Sequence, residues 1–141
     1  MQWTGLPAVV LRESLEELGT RRFRDESGRP LFDLPRAPLP APFTPAPARF
    51  LPMWDSLLLA HADRRRVLPE EYRRVVIRKN GDVQQTFLVD GVVAGTWTTK
   101  DGRVAIEPFA PLPRVARSEL EDEARRLEAF LTPGRWEILG A

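Results

Sequence analysis

The sequence contains one dense cluster of basic side chains, and the chemistry open to such a cluster is phosphate binding. Its members lie between residues 64 and 79, and they are Arg64, Arg65, Arg66, Arg73, Arg74, Arg78 and Lys79. Phosphate contact requires that several of these charges share one face of the fold. The alternative is a solvated loop whose charges pair with Asp63, Glu70 and Glu71.

A predicted hairpin tip follows this cluster. Lys79, Asn80, Gly81 and Asp82 form a turn between two runs rich in β-branched residues. A protruding tip can enter a DNA groove, and Asn80 is its candidate contact residue; the alternative is a plain turn. The adjacent pair Gln84-Gln85 could contact a base edge, although strand-surface positions are the commoner role. Base stacking is open to Trp54 and Trp97, but we expect both in the core.

His61 is the single histidine of the chain, so it is the first residue to test for acid–base or metal chemistry. No second histidine and no cysteine accompany it with metal-ligand spacing. The alternative is a histidine at a helix end, bonded to a carboxylate or carbonyl. No Gly-rich phosphate loop or nucleophile elbow occurs. The sequence therefore predicts no catalytic residue, no metal and no cofactor.

The composition is that of a soluble globular protein. The chain has 141 residues, of which 43% are hydrophobic and 29% are charged, with a formal net charge of +1. There is no global basic field, so any DNA-facing surface must be local. The absence of cysteine excludes disulfides and thiolate metal sites. With no long apolar run and no leader pattern, we expect a cytoplasmic protein without a membrane partner.

Three Asn-Gly or Asp-Gly pairs organise the centre of the chain. Asn80-Gly81, Asp90-Gly91 and Asp101-Gly102 each favour a type I′ turn, because these residues tolerate positive φ. They predict a four-stranded antiparallel meander or partial barrel with strands near 75–79, 83–89, 92–99 and 103–109. A capping box of Ser118 and Glu121 predicts a covering helix over 119–131. Its apolar face would be Leu120, Ala124, Leu127 and Leu131, and Arg135–Leu139 would add an edge strand.

The N-terminal third predicts a helix over 6–18 and then a hairpin around the turn at 25–28. Pro7 suits the first turn of this helix and Gly19 suits its C′ position. A helix followed at once by a hairpin is how a winged helix ends, so residues 1–34 are interpreted as a winged-helix remnant. Its hairpin supplies three further candidate DNA contacts, Arg21, Arg22 and Arg24.

The remaining segments complete the predicted domain organisation. Six prolines in 35–47 predict an extended connector over residues 35–48. Residues 49–141 then form a β-rich domain. Within it, Asp55 caps a helix that extends to about Asp63, and Pro69 begins a short helical turn. The predicted fold class is therefore α+β.

An ordered series of short segments also resembles a known family. The segments are Trp3–Leu6, Arg22–Leu34, Pro47–Asp55, Ser56–Arg64, Leu88–Trp97 and Glu107–Phe109. In this order they are similar to the C-terminal part of the bacterial winged-helix DNA-binding family that includes the alkylpurine and interstrand-crosslink DNA glycosylases. The resemblance extends from Trp3 to Leu131.

The resemblance implies tandem winged helices followed by a β-rich C-terminal domain, which together form a concave surface for duplex DNA. Glycosylases of this family carry a Gln-aliphatic-Gln or Gln-aliphatic-Asp catalytic motif in their N-terminal part. Gln84-Gln85 has no residue between its two members and lies in the wrong region. No catalytic residue is therefore transferred to this chain. An extension upstream of Met1 that carried such a motif would make the chain part of an enzyme.

These observations lead to three hypotheses. The first is a non-catalytic, DNA-binding C-terminal module of a glycosylase-like protein that acts in DNA repair. The second is a structural or oligomerisation module, which braces missing winged helices or forms a homodimer through the surface that they would cover. The apolar face of helix 6–18, with Leu11, Leu15 and Leu18, motivates this second hypothesis. The third is an independent hydrolase that depends on His61.

Overall fold

The structure is a computed structural model that describes residues 5–61 and 63–131. It divides into two compact units, residues 1–44 and residues 45–141, and each unit is described by itself. The division falls within the proline-rich segment that the sequence predicts as a connector. The predicted domain boundaries after residues 34 and 48 stay predictions.

The first unit contains one helix and one hairpin. Helix α1 is Ala8–Glu17, and strands β1 (Arg21–Arg24) and β2 (Pro30–Asp33) pair antiparallel. Gly19 has a φ of 59°, and its amide donates to the carbonyl of Glu16 at 3.0 Å. The predicted helix end is thus confirmed. The predicted start is wrong by two residues, because Pro7 has an extended ψ of 145° and lies at the N-cap.

None of the described residues of the first unit is buried. Helix α1 contributes no buried side chain, and several of its apolar side chains are largely exposed. The exposed members are Val9 and Val10, with Leu6 and Leu18 at the two flanks of the helix. A helix normally packs such a stripe against another element. Among the described residues of the first unit, no apolar side chains cover this face of α1.

The second unit is built on a four-stranded antiparallel sheet of order β3-β4-β5-β6. The strands are β3 (Arg49–Leu51), β4 (Thr86–Val89), β5 (Val92–Lys100) and β6 (Arg103–Pro108). Asp90-Gly91 and Asp101-Gly102 have positive φ at both residues, so two of the predicted type I′ turns are confirmed. Among the described residues the sheet does not close into a barrel, and the α+β class is confirmed.

The predicted first strand, 75–79, is wrong. A 3₁₀ turn at Glu70–Tyr72 leads into the short helix α3 (Arg73–Val76), and beyond it lies only an isolated bridge between Ile77 and Val83. The fourth strand of the sheet is instead β3, which pairs with β4. The physical reason is burial: the helical turn places Val76 in the core and brings the ring of Tyr72 to 4.5 Å from that of Phe109.

Two predicted helices have different bounds in the structure. Asp55 caps helix α2 by accepting from the Leu57 amide at 2.8 Å, but α2 is only Ser56–Leu59 and does not reach Asp63. Helix α4 is Arg114–Leu131, so Ser118 lies inside it and the predicted capping box is wrong. Pro113 precedes the helix, and a proline is tolerated where a helix begins.

Helix α4 covers the sheet through part of its predicted apolar face. Ala116 and Leu120 are buried, Ala124 and Leu127 are half-buried, and Leu131 is exposed. The carboxylate of Glu119 accepts from the Ala48 amide at 3.0 Å, which ties the helix to the chain just before β3. The predicted edge strand Arg135–Leu139 lies outside the described residues.

The core of the second unit has two clusters of buried side chains. The larger cluster lies between the sheet and the segments around α2 and α3, and consists of Leu58, Leu68, Val76, Val83, Leu88 and Val93. The smaller one lies beneath α4 and consists of Ala48, Phe87 and Leu120. Over the part of the chain that the structure describes, no helix is both long and apolar enough to cross a membrane.

Candidate nucleic-acid interface

The hairpin tip at residues 78–82 is a protruding turn on a rigid base. The bridge between Ile77 and Val83 closes the base, and Val83 is fully buried in the larger core cluster. The Arg78 amide donates to the Asp82 carbonyl at 2.9 Å, and the Gly81 amide donates to the Arg78 carbonyl at 3.0 Å. Since the tip is exposed and its base is buried, its side chains are presented to solvent at a fixed place.

The turn differs in type from the prediction. Gly81 has a φ of 90°, but Asn80 does not have positive φ, so a type I′ turn is wrong here. The side chain of Asn80 instead donates through Nδ2 to Asp82 Oδ2 at 2.6 Å, and Asn80 Oδ1 accepts from the backbone amide of Asp82 at 3.1 Å. These bonds rigidify the tip and occupy the polar end of Asn80.

Three cations on and beside this hairpin have no carboxylate partner among the described residues. The side chains of Arg74 and Lys79 are exposed and make no hydrogen bond or ion pair to another described residue. In the amide orientation that satisfies both groups, Gln84 accepts from Nε and Nη2 of Arg78 at 2.6 and 2.5 Å. Gln84 is neutral, so it orients the Arg78 guanidinium without cancelling its charge.

The other arginines of the basic cluster have partners within the protein. Arg64 donates through Nε to the Leu58 carbonyl and through Nη2 to the Leu59 carbonyl, so it braces the end of α2. Arg65 binds Asp63 through two hydrogen bonds of 3.0 and 2.7 Å.

The remaining two arginines of this cluster are exposed. Arg73 lies 3.6 Å from Glu70, so the alternative of pairing with nearby acids applies to it as to Arg65. Arg66 is also exposed. An exposed ion pair of this kind contributes little to stability, but it neutralises a charge that could otherwise bind phosphate.

The three arginines of the first unit that the sequence offers as DNA contacts also differ in their partners. Arg21 forms a 2.7 Å ion pair with Asp33 and donates to the Leu34 and Ala37 carbonyls at 3.2 and 2.6 Å. Arg24 donates to the Gly28 carbonyl at 3.0 Å. Arg22 is exposed and has no side-chain partner among the described residues. Of these candidates, Arg22 is the best placed for an external anion.

His61 is exposed just beyond α2 and makes no side-chain hydrogen bond to another described residue. The helix-end role predicted for it required a carboxylate or carbonyl partner, which the described ranges do not supply. Within those same ranges, no group of three or more metal-ligating side chains comes together. Among the described residues, His61 thus has no hydrogen-bonding or metal-ligating neighbour that could assist acid–base chemistry.

The two tryptophans of the described chain differ from one another. Trp97 is only 7% exposed, and its indole donates to the Leu51 carbonyl at 2.8 Å, which confirms its predicted core position. Trp54 is 53% exposed, so its predicted core position is wrong. It follows Pro52 and Met53 at the end of β3 with a φ of 56°, and this backbone turns it out of the core. No pattern in the sequence indicated that conformation.

Comparisons with known proteins relate this chain to enzymes that act on DNA. Residues 1–130 match the model of the AlkZ-like family, which is described as 'DNA glycosylase AlkZ-like'. Among solved structures, the DNA glycosylase AlkZ of Streptomyces sahachiroi is similar, with 26% identity and a TM-score of 0.67. The similarity covers 88% of this chain and 34% of that one, so the chain spans about a third of that relative. No curated protein matches the chain.

Proposed function

The chain belongs to the family of AlkZ-like DNA glycosylases, and we propose that it serves there as a DNA-binding module without a catalytic centre of its own. Its partner would be duplex DNA and its process DNA repair. The relative's name, a DNA glycosylase, supports a DNA partner for this chain. The helix and hairpin of the first unit would be the end of a winged helix, and the protein would act in the cytoplasm.

The observation that carries the proposal is the set of cations at residues 74, 78 and 79, which have no carboxylate partner in the part of the chain that the structure describes. A phosphate that binds Lys79 or Arg74 displaces no ion pair between described residues, so the contact needs no internal rearrangement. Each such contact also releases counterions from the DNA, which is the main driving force of sequence-independent binding. The rigid hairpin fixes these charges before DNA arrives, which reduces the entropy lost on binding.

Fluorescence anisotropy with a labelled duplex at about 50 and 200 mM salt tests this proposal. We expect binding that weakens with salt, and Lys79→Ala should weaken it further and reduce the log–log salt slope by about one. Lys100→Ala is the matched control, because Lys100 is also exposed. It precedes the turn Asp101-Gly102 as Lys79 precedes the turn Asn80-Gly81. Its slope should equal that of the wild type.

Two results would count against the proposal. A wild-type chain that does not bind duplex DNA even at low salt would overturn the function itself. If Lys79→Ala and Lys100→Ala had equal effects, DNA binding would stand, but the interface would not be the hairpin.

A second candidate function is assembly through the first unit. Besides the exposed stripe on α1, an open groove of about 900 Å³ lies between the helix and the hairpin, lined in part by Leu11, Leu15, Phe23 and Phe32. This surface would brace winged-helix elements or a second copy of the chain. Sedimentation equilibrium should show self-association that Val10→Glu abolishes. A wild-type monomer at every concentration would exclude the homodimer.

A further inference from the structure

Trp54 has a backbone conformation that its residue type disfavours. Outside glycine, only Trp54, Asp90 and Asp101 have positive φ among the described residues. The two aspartates begin type I′ turns completed by glycine, where positive φ is expected. Trp54 has no following glycine, and a bulky side chain at a φ of 56° is strained. Such strain persists where the surrounding structure imposes it, and it is concentrated at functional sites.

Hydrogen bonds fix the backbone at Trp54 and at the residue that follows it. Its amide donates to the Val83 carbonyl at 3.4 Å, and the next residue, Asp55, is fixed as the N-cap of α2 by its bond to Leu57. The fold therefore keeps an indole 53% exposed beside Met53, which is 44% exposed. Neither burial nor hydrogen bonding in the described structure compensates for this exposure of a large apolar side chain.

The position of Trp54 relates it to the proposed DNA-binding hairpin. Val83, to which it is bonded, pairs with Ile77 at the base of the turn that carries Arg78 and Lys79. The backbone bonds thus join Trp54 to the hairpin that carries cations without a carboxylate partner among the described residues. An exposed aromatic and such cations are the combination that binds exposed bases, because the cations contact the backbone and the ring stacks on a base. Apolar side chains can also part base steps of duplex DNA from the minor groove.

We propose that Trp54 is a base-stacking residue, which holds an unstacked base of the duplex while Arg78 and Lys79 hold the adjoining phosphates. This inference rests on the proposed DNA binding and assigns a site to it. The ligand is a nucleobase displaced from its stack, as occurs at a damaged or mismatched position. The strained backbone keeps the indole outside the core, where a base can reach it.

Anisotropy and a duplex with 2-aminopurine at a mismatch test the assignment. Trp54→Ala should weaken binding about tenfold and leave the salt slope unchanged, because stacking involves no counterions. It should also abolish the change in 2-aminopurine fluorescence that we expect when the wild type binds. Trp54→Phe should retain most of the affinity. Phe43→Ala is the matched control, since Phe43 is an exposed aromatic (95%) in the proline-rich segment, and it should behave as the wild type.

The two proposals fail in different ways. No binding by the wild type at low salt overturns DNA binding and with it the stacking role. Binding that Lys79→Ala weakens and Trp54→Ala leaves unchanged overturns the stacking role alone.

Trp54→Gly keeps the test decisive if the alanine variant does not fold, since glycine accepts positive φ. We expect Trp54→Gly to melt at a higher temperature than Trp54→Ala and to bind DNA as weakly as Trp54→Ala. Wild-type affinity in Trp54→Gly would also overturn the assignment.

Discussion

Whether a cation already has an anionic partner determines what it can contribute to DNA binding. Arg65 lies against Asp63 and Arg73 against Glu70, so a phosphate must compete with a carboxylate for each of them. Lys79 has no such competitor among the described residues. Equal charges in one stretch of sequence are therefore unequal as binding groups. We expect Lys79 to contribute more to DNA affinity than Arg65.

Asp25, unlike Lys79, has its charge fully engaged within the described part of the protein. It is an acid that accepts several hydrogen bonds in the hairpin turn of the first unit. Its Oδ1 accepts from the Ser27 hydroxyl at 2.6 Å and from the Ser27 and Arg29 amides at 3.0 and 2.9 Å. These bonds favour the ionised form, led by the Ser27 hydroxyl and then the Arg29 amide, and lower the pKa of Asp25 to about 2.

This lowered pKa predicts an acid-sensitive hairpin. Because the folded pKa lies below the unfolded one, the carboxylate stabilises the turn fully above about pH 4. Its contribution is lost as the pH falls towards about 2. A carboxyl-carbon NMR titration should find this pKa, and Asp25→Asn should remove the change in Ser27 and Arg29 amide shifts over that window. An ordinary aspartate pKa in the folded chain would contradict the expectation.

At the level of elements, the sheet depends on one close approach. Gly95 of β5 pairs with Phe87 and Pro108 on its two neighbours. A Cβ at this position would lie 2.4 Å from the Glu107 carbonyl oxygen and 2.5 Å from the Phe87 ring. Phe87 is fully buried beneath α4, so neither it nor the strand backbone can move aside easily.

Gly95→Ala should therefore destabilise the protein by about 2–3 kcal/mol through overpacking. Gly102→Ala is the control: its Cβ would meet nothing within 4 Å, so only the strain of its φ of 75° remains, about 1 kcal/mol. Urea unfolding of the three proteins measures the difference. Equal midpoints for the two variants would mean that the strands separate to admit the methyl group.

The elements also show which features the sequence determines locally. Asp90-Gly91 and Asp101-Gly102 predicted strands β4 to β6, because the conformational demand of a type I′ turn is met by the turn residues themselves. The run Val75–Lys79 has a strand-like composition, yet Arg73–Val76 is helical because of tertiary burial of Val76. Short apolar runs are ambiguous in this way, and distant contacts determine the outcome.

The same distinction between local signals and distant contacts applies to the candidate interface. The sequence placed Lys79 at a hairpin tip and Arg78 on the strand that leads into it, since the turn signal and the charges are adjacent in the chain. It could not show that Arg64 is bound within the described part of the protein and Lys79 is not, because the carbonyls that accept from Arg64 belong to the end of α2. It also placed Trp54 in the core, because a positive φ at tryptophan has no signature in composition or period.

At the scale of the whole molecule, the two units differ in how they could be stable. The second unit has two buried clusters and a four-stranded sheet. The first unit has a hairpin and a helix without one buried side chain in its described part. A segment of about 40 residues without disulfides or a metal rarely buries enough surface to offset its conformational entropy. We therefore expect the first unit to need an apolar partner surface.

Expressing the two units separately tests this difference. We expect residues 45–141 to fold cooperatively, with dispersed amide NMR signals and the salt-dependent DNA affinity of the full chain, because the hairpin at 78–82 and its core are both retained. Residues 1–44 alone should give the narrow dispersion of an unfolded peptide. A folded 1–44 fragment would show that local bonds such as Arg21–Asp33 suffice, and the exposed stripe on α1 would then not require a partner.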